Sequence, residues 1–310
     1  MKWELLKKIV KQYQVQLKLV ISLLLMAALI RVFVVKVGEL KDLDWTQVVE
    51  SLYLLPFLLI LVIVNWSVEA LKWQLVTISN GFWQSVKVVL VGLLFKQFIP
   101  LGLGELSGRM LADHHTDKKE VAGAFLLVGF TQFAVTVFLG CFGVGWLLFH
   151  TNYAIGQVPL VGLAVAVAIV FVIYLLKNQI LMAYHKWFNA LGEISSAKVR
   201  QLIMLALLRY LVFFSQSLVV FAAFNQSVQV LLLAAGISFV FLVKTIIPNI
   251  GFAGDLGVRG FSAVLFFQYF GIGAMPVILA GLCVWVINIF LPSFVALFFI
   301  RQVRMYKEKE

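Results

Sequence analysis

The chain has 310 residues, of which 63% are hydrophobic and 13% charged, with a formal net charge of +11 and a mean hydropathy of +1.02. A soluble core of this length has no use for so much apolar side chain, so the composition excludes a soluble globular protein and predicts an all-α polytopic integral membrane protein. Most Lys and Arg flank apolar runs instead of forming one polar face, which excludes nucleic acid as a partner and favours anionic lipid headgroups.

The N-terminus is basic, with Lys2, Lys7, Lys8, Lys11 and Lys18, and leads into an apolar run from about Leu19 to Val35. No small-residue cleavage pattern follows, so the run reads as a retained first span with its start in the cytoplasm. Lys36, Glu39, Lys41, Asp42, Asp44 and Glu50 make a mixed outer loop. A second span from about Leu52 to Leu71 returns inside at Lys72.

The next stretch, KQFIPLGLGELSGR from Lys96 to Arg109, breaks the pattern. Pro100, Gly102, Gly104 and Gly108 interrupt the apolar run that begins at Val86, so one uninterrupted helix through Arg109 is excluded and two half-helices are expected. A re-entrant hairpin returns the chain inside at Asp113 to Glu120. Spans follow near Val121 to Phe149 and Pro159 to Leu176. The segment Lys177 to Arg200 is basic, as an inside loop should be, and its middle, ILMAYHKWFNAL, suits an amphipathic helix lying in the interface. A span from about Leu202 to Phe224 reaches an uncharged outer loop, Asn225 to Gln229.

The segment VKTIIPNIGFAGDLGVR, Val243 to Arg259, answers the first broken stretch. Lys244 stands four residues before Pro248, as Lys96 stands four before Pro100. Gly254, Asp255, Leu256 and Arg259 echo Gly104, Glu105, Leu106 and Arg109. Apolar letters match by chance in membrane proteins, but Lys, Pro, acid and Arg at shared spacings mark an internal duplication. The last span, about Met275 to Ile300, ends inside at Arg301, Arg304, Lys307 and Lys309. With three full spans between them, the two hairpins enter from opposite sides, the inverted-repeat logic of transporters. The expected architecture is about six full spans plus two opposed re-entrant hairpins. The chain is taken as a single transmembrane domain over 1–310, with the pseudo-repeats at 86–112 and 230–272 and no soluble domain.

A charge near the bilayer centre costs roughly 2.5 to 3.5 kcal/mol on the lenient insertion scale, so Glu105, Arg109, Asp255 and Arg259 must pair or face a cavity. Each acid lies four residues before its own Arg, one helical turn away, and the pairs have the further option of coupling between copies. Two roles stay open: salt bridges that lock the hairpins, or a ligand site in which Arg109 and Arg259 offer forked donors to a phosphate while Glu105 and Asp255 hold them. Lys96 and Lys244 add positive charge or snorkel to an interface. Pro100, Pro248, Gly104 and Gly254 complete the candidate substrate-binding set by shaping the breaks.

The Pro, Gly-rich turn, Glu and Arg of the first copy, the GDLGVR of the second and ALKWQLV at Ala70 to Val76 resemble the transmembrane region of lysylphosphatidylglycerol synthases and their stand-alone flippase-like relatives. The resemblance implies a bacterial cytoplasmic (inner) membrane protein, both termini cytoplasmic, that moves a phospholipid between leaflets. Synthase activity belongs to a separate soluble domain and is not implied for this chain. Two departures stand out: Gly260 occupies the place after the second Arg where the family commonly has Glu, the acid standing instead at Asp255 where Gly is usual, and GFTQFAV, residues 129–135, stands where it often shows a Glu-Arg pair.

No Walker-type motif is present, and His114 and His115 are adjacent, which suits a solvated loop better than a metal site. Cys141 and Cys283 sit in apolar runs without CxxC spacing and read as small buried hydrophobes. No cofactor or metal is expected, and no catalytic constellation can be assembled from spacing. The function expected is that of a lipid flippase or transporter acting through a charged cavity on an anionic or zwitterionic phospholipid or lipid-linked headgroup. The alternatives are a membrane enzyme with Glu105 or Asp255 as base, and a noncatalytic partner subunit. A homo-oligomer or a separate lipid-modifying enzyme is left open as protein partner.

Overall fold

The computed structural model describes residues 27, 29–42, 45–77, 81–99, 103–114, 116–150, 195–225, 227–247 and 251–307. These are helical nearly throughout, with no strand among them. After a helical stretch over 29–36 and short turns, the main helices are α1 (Leu55–Val76), α2 (Phe82–Phe98), α3 (Leu103–Ala112), α4 (Lys118–His150), α5 (Ser196–Phe224), α6 (Val230–Ile246), α7 (Gly251–Tyr269), α8 (Ala274–Trp285) and α9 (Leu291–Lys307). A π-helical turn, Val286–Phe290, joins α8 to α9 without a break.

Among the described residues four helical segments are long and apolar enough to cross a membrane: Ser51–Val76, Lys118–His150, Ser196–Phe224 and Ala274–Ile300. They agree with the spans expected at 52–71, 121–149, 202–224 and 275–300. The expected span at 159–176 and the interfacial helix at 180–191 lie outside the described residues, as does most of the span at 19–35. The outer surface fits hydrocarbon rather than water. Phe149 is 90% exposed and Phe138 79%, an arrangement that a water-facing surface would avoid.

The two broken stretches fold as helical hairpins. Helix α2 ends at Phe98, and the next residue, Ile99, is extended, as a residue before proline favours. Helix α3 then runs back along it. A Cβ on Gly104 would collide with the carbonyl oxygens of Phe95 and Ile99, and one on Gly108 with Val91 and Gly92. Glycine there lets the two backbones touch. Near the base, Gln84 Nε2 donates to the Ala112 carbonyl at 3.0 Å.

Helices α6 and α7 pair likewise, but through aromatic side chains. Phe239 lies 5.4 Å from Phe266, centroid to centroid, and Gly236 makes room for the Phe267 ring. The tip of this hairpin turns at Gly251, whose φ of +60° is left-handed and therefore suited to glycine. A Cβ on Gly251 would come within 2.9 Å of the Gln97 carbonyl, so the second tip rests against the first.

Helix α4 sets the relation of the hairpins. Val121 and Ala124 cluster with Val88 and Ala112 near the base of the first. Farther along, Gly140 meets Leu242 and Gly143 meets Ala235 and Phe239 of the second, and His150 reaches Phe270 beyond its base. The hairpins thus pack on opposite ends of α4 with their tips toward its middle. Helix α5 runs beside α4, from Leu202 near Leu127 to Phe221 near Phe267, and α1 runs antiparallel to it. The Gln216 side chain donates to the Leu58 carbonyl at one end, while Leu75 and Val76 pack near Leu202 at the other.

Candidate functional site

The charged residues of both motifs gather at the tips. In the first copy Glu105 stands in the opening turn of α3, where an acid suits the helix dipole. Its Oε2 meets Lys96 Nζ at 2.7 Å, and its Oε1 accepts from Arg109 Nη2 at 2.6 Å. In the second copy Asp255 near the start of α7 meets Lys244 Nζ at 3.3 Å and accepts from Arg259 Nε at 3.0 Å. One arrangement occurs twice: an acid early in the returning helix is held by a Lys of the outgoing helix and an Arg one turn onward. The spacing of four residues seen in the sequence is what closes each acid-Arg bridge.

Between the tips lies a cavity of about 400 Å³, within the range of small-ligand sites. Lys96, Gln97 and Glu105 line it from the first hairpin, and Lys244, Thr245, Asp255 and Arg259 from the second. The spans contribute Asn65 and Trp66 of α1, Gln132 and Thr136 of α4, Arg209 and Phe213 of α5, and Asn288 of the π turn. Gly104 and Gly254 are buried in the first turns of α3 and α7, beside the two acids, and Pro100 and Pro248 lie outside the described residues.

Arg109 does not reach the cavity. It is 2% exposed, stacked 4.6 Å from Trp73 and 5.6 Å from Phe125, and its Nη2 also donates to Glu69 Oε1 at 2.8 Å. Its place is behind the wall, gripping Glu105 from one side and α1 from the other. Arg259 instead borders the cavity, 5.6 Å from the Phe213 ring.

Three further charges belong to the cluster and lie outside the internal repeat, although Lys72 falls within ALKWQLV. Glu69 of α1 bridges Lys72 at 2.7 Å and Arg209 at 3.1 Å in addition to Arg109. Lys72, fully buried, also donates to Gln132 Oε1 at 2.9 Å. Six cations, Lys72, Lys96, Arg109, Arg209, Lys244 and Arg259, therefore face three carboxylates, Glu69, Glu105 and Asp255. Among the described residues the cluster keeps three formal positive charges over. That surplus gives the region of the cavity a positive potential. No group of three His, Cys, Asp or Glu stands together among the described residues.

Residues 15–296 match the family described as the lysylphosphatidylglycerol synthase TM region. The chain belongs to this family. Membership ties it to lipid metabolism or transport at a membrane. No curated protein and no solved structure matches it. Both departures of this lysylphosphatidylglycerol synthase TM-region protein from the family pattern have a structural counterpart. Gly260 lies under Leu29, whose methyl carbons would be 2.8 Å from an added Cβ, so Glu would not fit there without movement. In GFTQFAV, Gln132 takes a place on the cavity wall and ties Lys72 to the Ala206 carbonyl.

Proposed function

We propose that this protein binds the phosphate-bearing headgroup of a lipid in the cavity and passes it between leaflets. The hairpins act as opposed re-entrant elements of an inverted repeat in a bacterial cytoplasmic membrane, with both termini inside. The observation that carries this is the cavity at the meeting of the two tips, where Lys96, Lys244, Arg209 and Arg259 outnumber Glu105 and Asp255. Guanidinium and ammonium groups there hold a phosphate, and freed backbone at the tips is tolerated because it borders a polar cavity. Opposed half-helices meeting at a site are the means by which transporters expose it to either side. Lys96, Lys244 and Arg259 act on the ligand, whereas Arg109 positions Glu105.

The test is leaflet transfer of a fluorescent phospholipid in proteoliposomes, read by quenching of the outer leaflet. A K244Q/R259Q variant should lose at least about tenfold in rate, as expected when two charge-assisted contacts go. Unchanged transfer by a folded variant rejects the proposal.

A further inference from the structure

The last span changes partners halfway along. Its first half, α8, packs on the second hairpin, where Val277 and Val284 cluster with Phe266 and Phe267. Its second half, α9, packs on the first hairpin, where Ala296 clusters with Leu90 and Leu94. Between the halves stands the π turn, and Pro292 follows it at once. At the turn, Trp285 and Ile289 cluster with Leu93 of the first hairpin, and Leu256 of the second packs against them. The break in the span therefore falls on the seam where the two hairpins meet.

The backbone of the turn lacks its usual bonds. The Leu291 N–H reaches the Val286 carbonyl, five residues back instead of four. In an α-helix the Asn288 carbonyl would accept from the backbone N–H at position 292, but that residue is proline and has none. Helix α1 supplies the replacement. Trp66 Nε1 donates to the Asn288 carbonyl at 3.0 Å, and Asn65 Nδ2 donates to Asn288 Oδ1 at 3.0 Å. Asn65 and Asn288 are each 2% exposed, so these bonds are made away from competing water. A kinked span whose orphaned carbonyl is held from a neighbouring helix is fastened from outside, and the fastening opens without breaking the ladder of either half. We infer that Val286–Phe290 is a hinge in the last span and that Trp66, aided by Asn65, holds it shut. When the Trp66 bond breaks, α8 with the second hairpin and α9 with the first tilt apart, and the seam that buries Leu93 opens. The motion requires no particular ligand in the cavity.

The experiment follows the reaction of single cysteines with methyl methanethiosulfonate, a small neutral reagent, in the full chain purified in detergent with Cys141 and Cys283 changed to Ser. Leu93→Cys reports the seam, while Val277→Cys and Leu90→Cys report the packing of each half on its own hairpin. All three positions are buried. Trp66→Phe keeps a ring beside the Arg209 guanidinium, which lies 5.2 Å from the Trp66 ring, and removes the N–H. It should raise the rate at Leu93→Cys about tenfold, the factor by which losing one buried hydrogen bond populates the open form, and leave the other two rates unchanged. Adding Pro292→Ala returns a backbone donor to the Asn288 carbonyl and should bring the Leu93→Cys rate back down. An unchanged rate at Leu93→Cys in Trp66→Phe overturns the inference, as does a rate that stays raised after Pro292→Ala is added. A rise at all three sites together is general loosening and overturns it too. If Trp66→Phe does not fold, Pro292→Ala alone decides: slower reaction at Leu93→Cys than with proline in place supports the hinge, and an equal or faster rate overturns it.

Discussion

Glu69 answers to three cations at once, and its worth lies in what its loss would strand. Replacing it by Gln leaves Lys72 and Arg109 buried without their shared counter-charge, a change that typically costs about 3–5 kcal/mol. Thermal unfolding in detergent should show Glu69→Gln markedly less stable than Gln97→Glu, a change at the cavity edge that adds negative charge to a cationic cluster. Arg109→Lys keeps the charge but loses the fork that joins Glu105 to Glu69, so it should fall between the original protein and Arg109→Gln in the same assay. The residues that sequence comparison could find were Lys96, Glu105 and Arg109 with Lys244, Asp255 and Arg259, because rare polar letters recur at matched spacing. Glu69, Lys72 and Arg209 occur once each and have no echo. Their signals were weaker but physical: Glu69 and Lys72 stand three apart on one helix face, and Arg209 is a lone charge inside the run Leu202 to Phe224. A Lys at the end of an apolar run ordinarily marks a span boundary, as at Lys72, but the helix continues to Val76 and takes Lys72 inside.

Among the elements, the hairpins differ in how their arms are joined. In the first, glycine brings backbone against backbone; in the second, phenylalanine rings separate the helices. Gly108→Val should therefore wedge α2 from α3 and abolish both monodispersity on size exclusion and lipid transfer. Gly129→Val, whose added atoms meet open space, should leave both unchanged. Both breaks were legible because Pro and Gly inside an apolar run allow little else. The π turn was not legible, since apolar residues continue unbroken from Val277 to Leu291 except for Asn288, and one polar residue does not reveal a shifted ladder. Nor did letter matching disclose that α3 has 10 residues and α7 has 19, because the shared motif ends at the Arg of each copy.

At the scale of the whole molecule, the bases of the hairpins lie toward opposite ends of α4. If that axis crosses the bilayer, single cysteines at Asp117 and Gln229, both exposed, should react with an impermeant thiol reagent from opposite compartments. Cys141 and Cys283 would first be changed to Ser. Reaction of both sites from one side would reject the opposed arrangement. The short return arm has an electrical consequence. Ten helical residues rise about 15 Å, half of a hydrocarbon layer of roughly 30 Å, which puts the surplus positive charge near mid-depth when the base of the first hairpin sits at the interface. An anion entering from either side then crosses about half the transmembrane voltage, worth about 1.1 kcal/mol per charge at 100 mV. Polarising the vesicles should accelerate passage of the anion in one direction and slow it in the other, and reversing the polarity should reverse the effect.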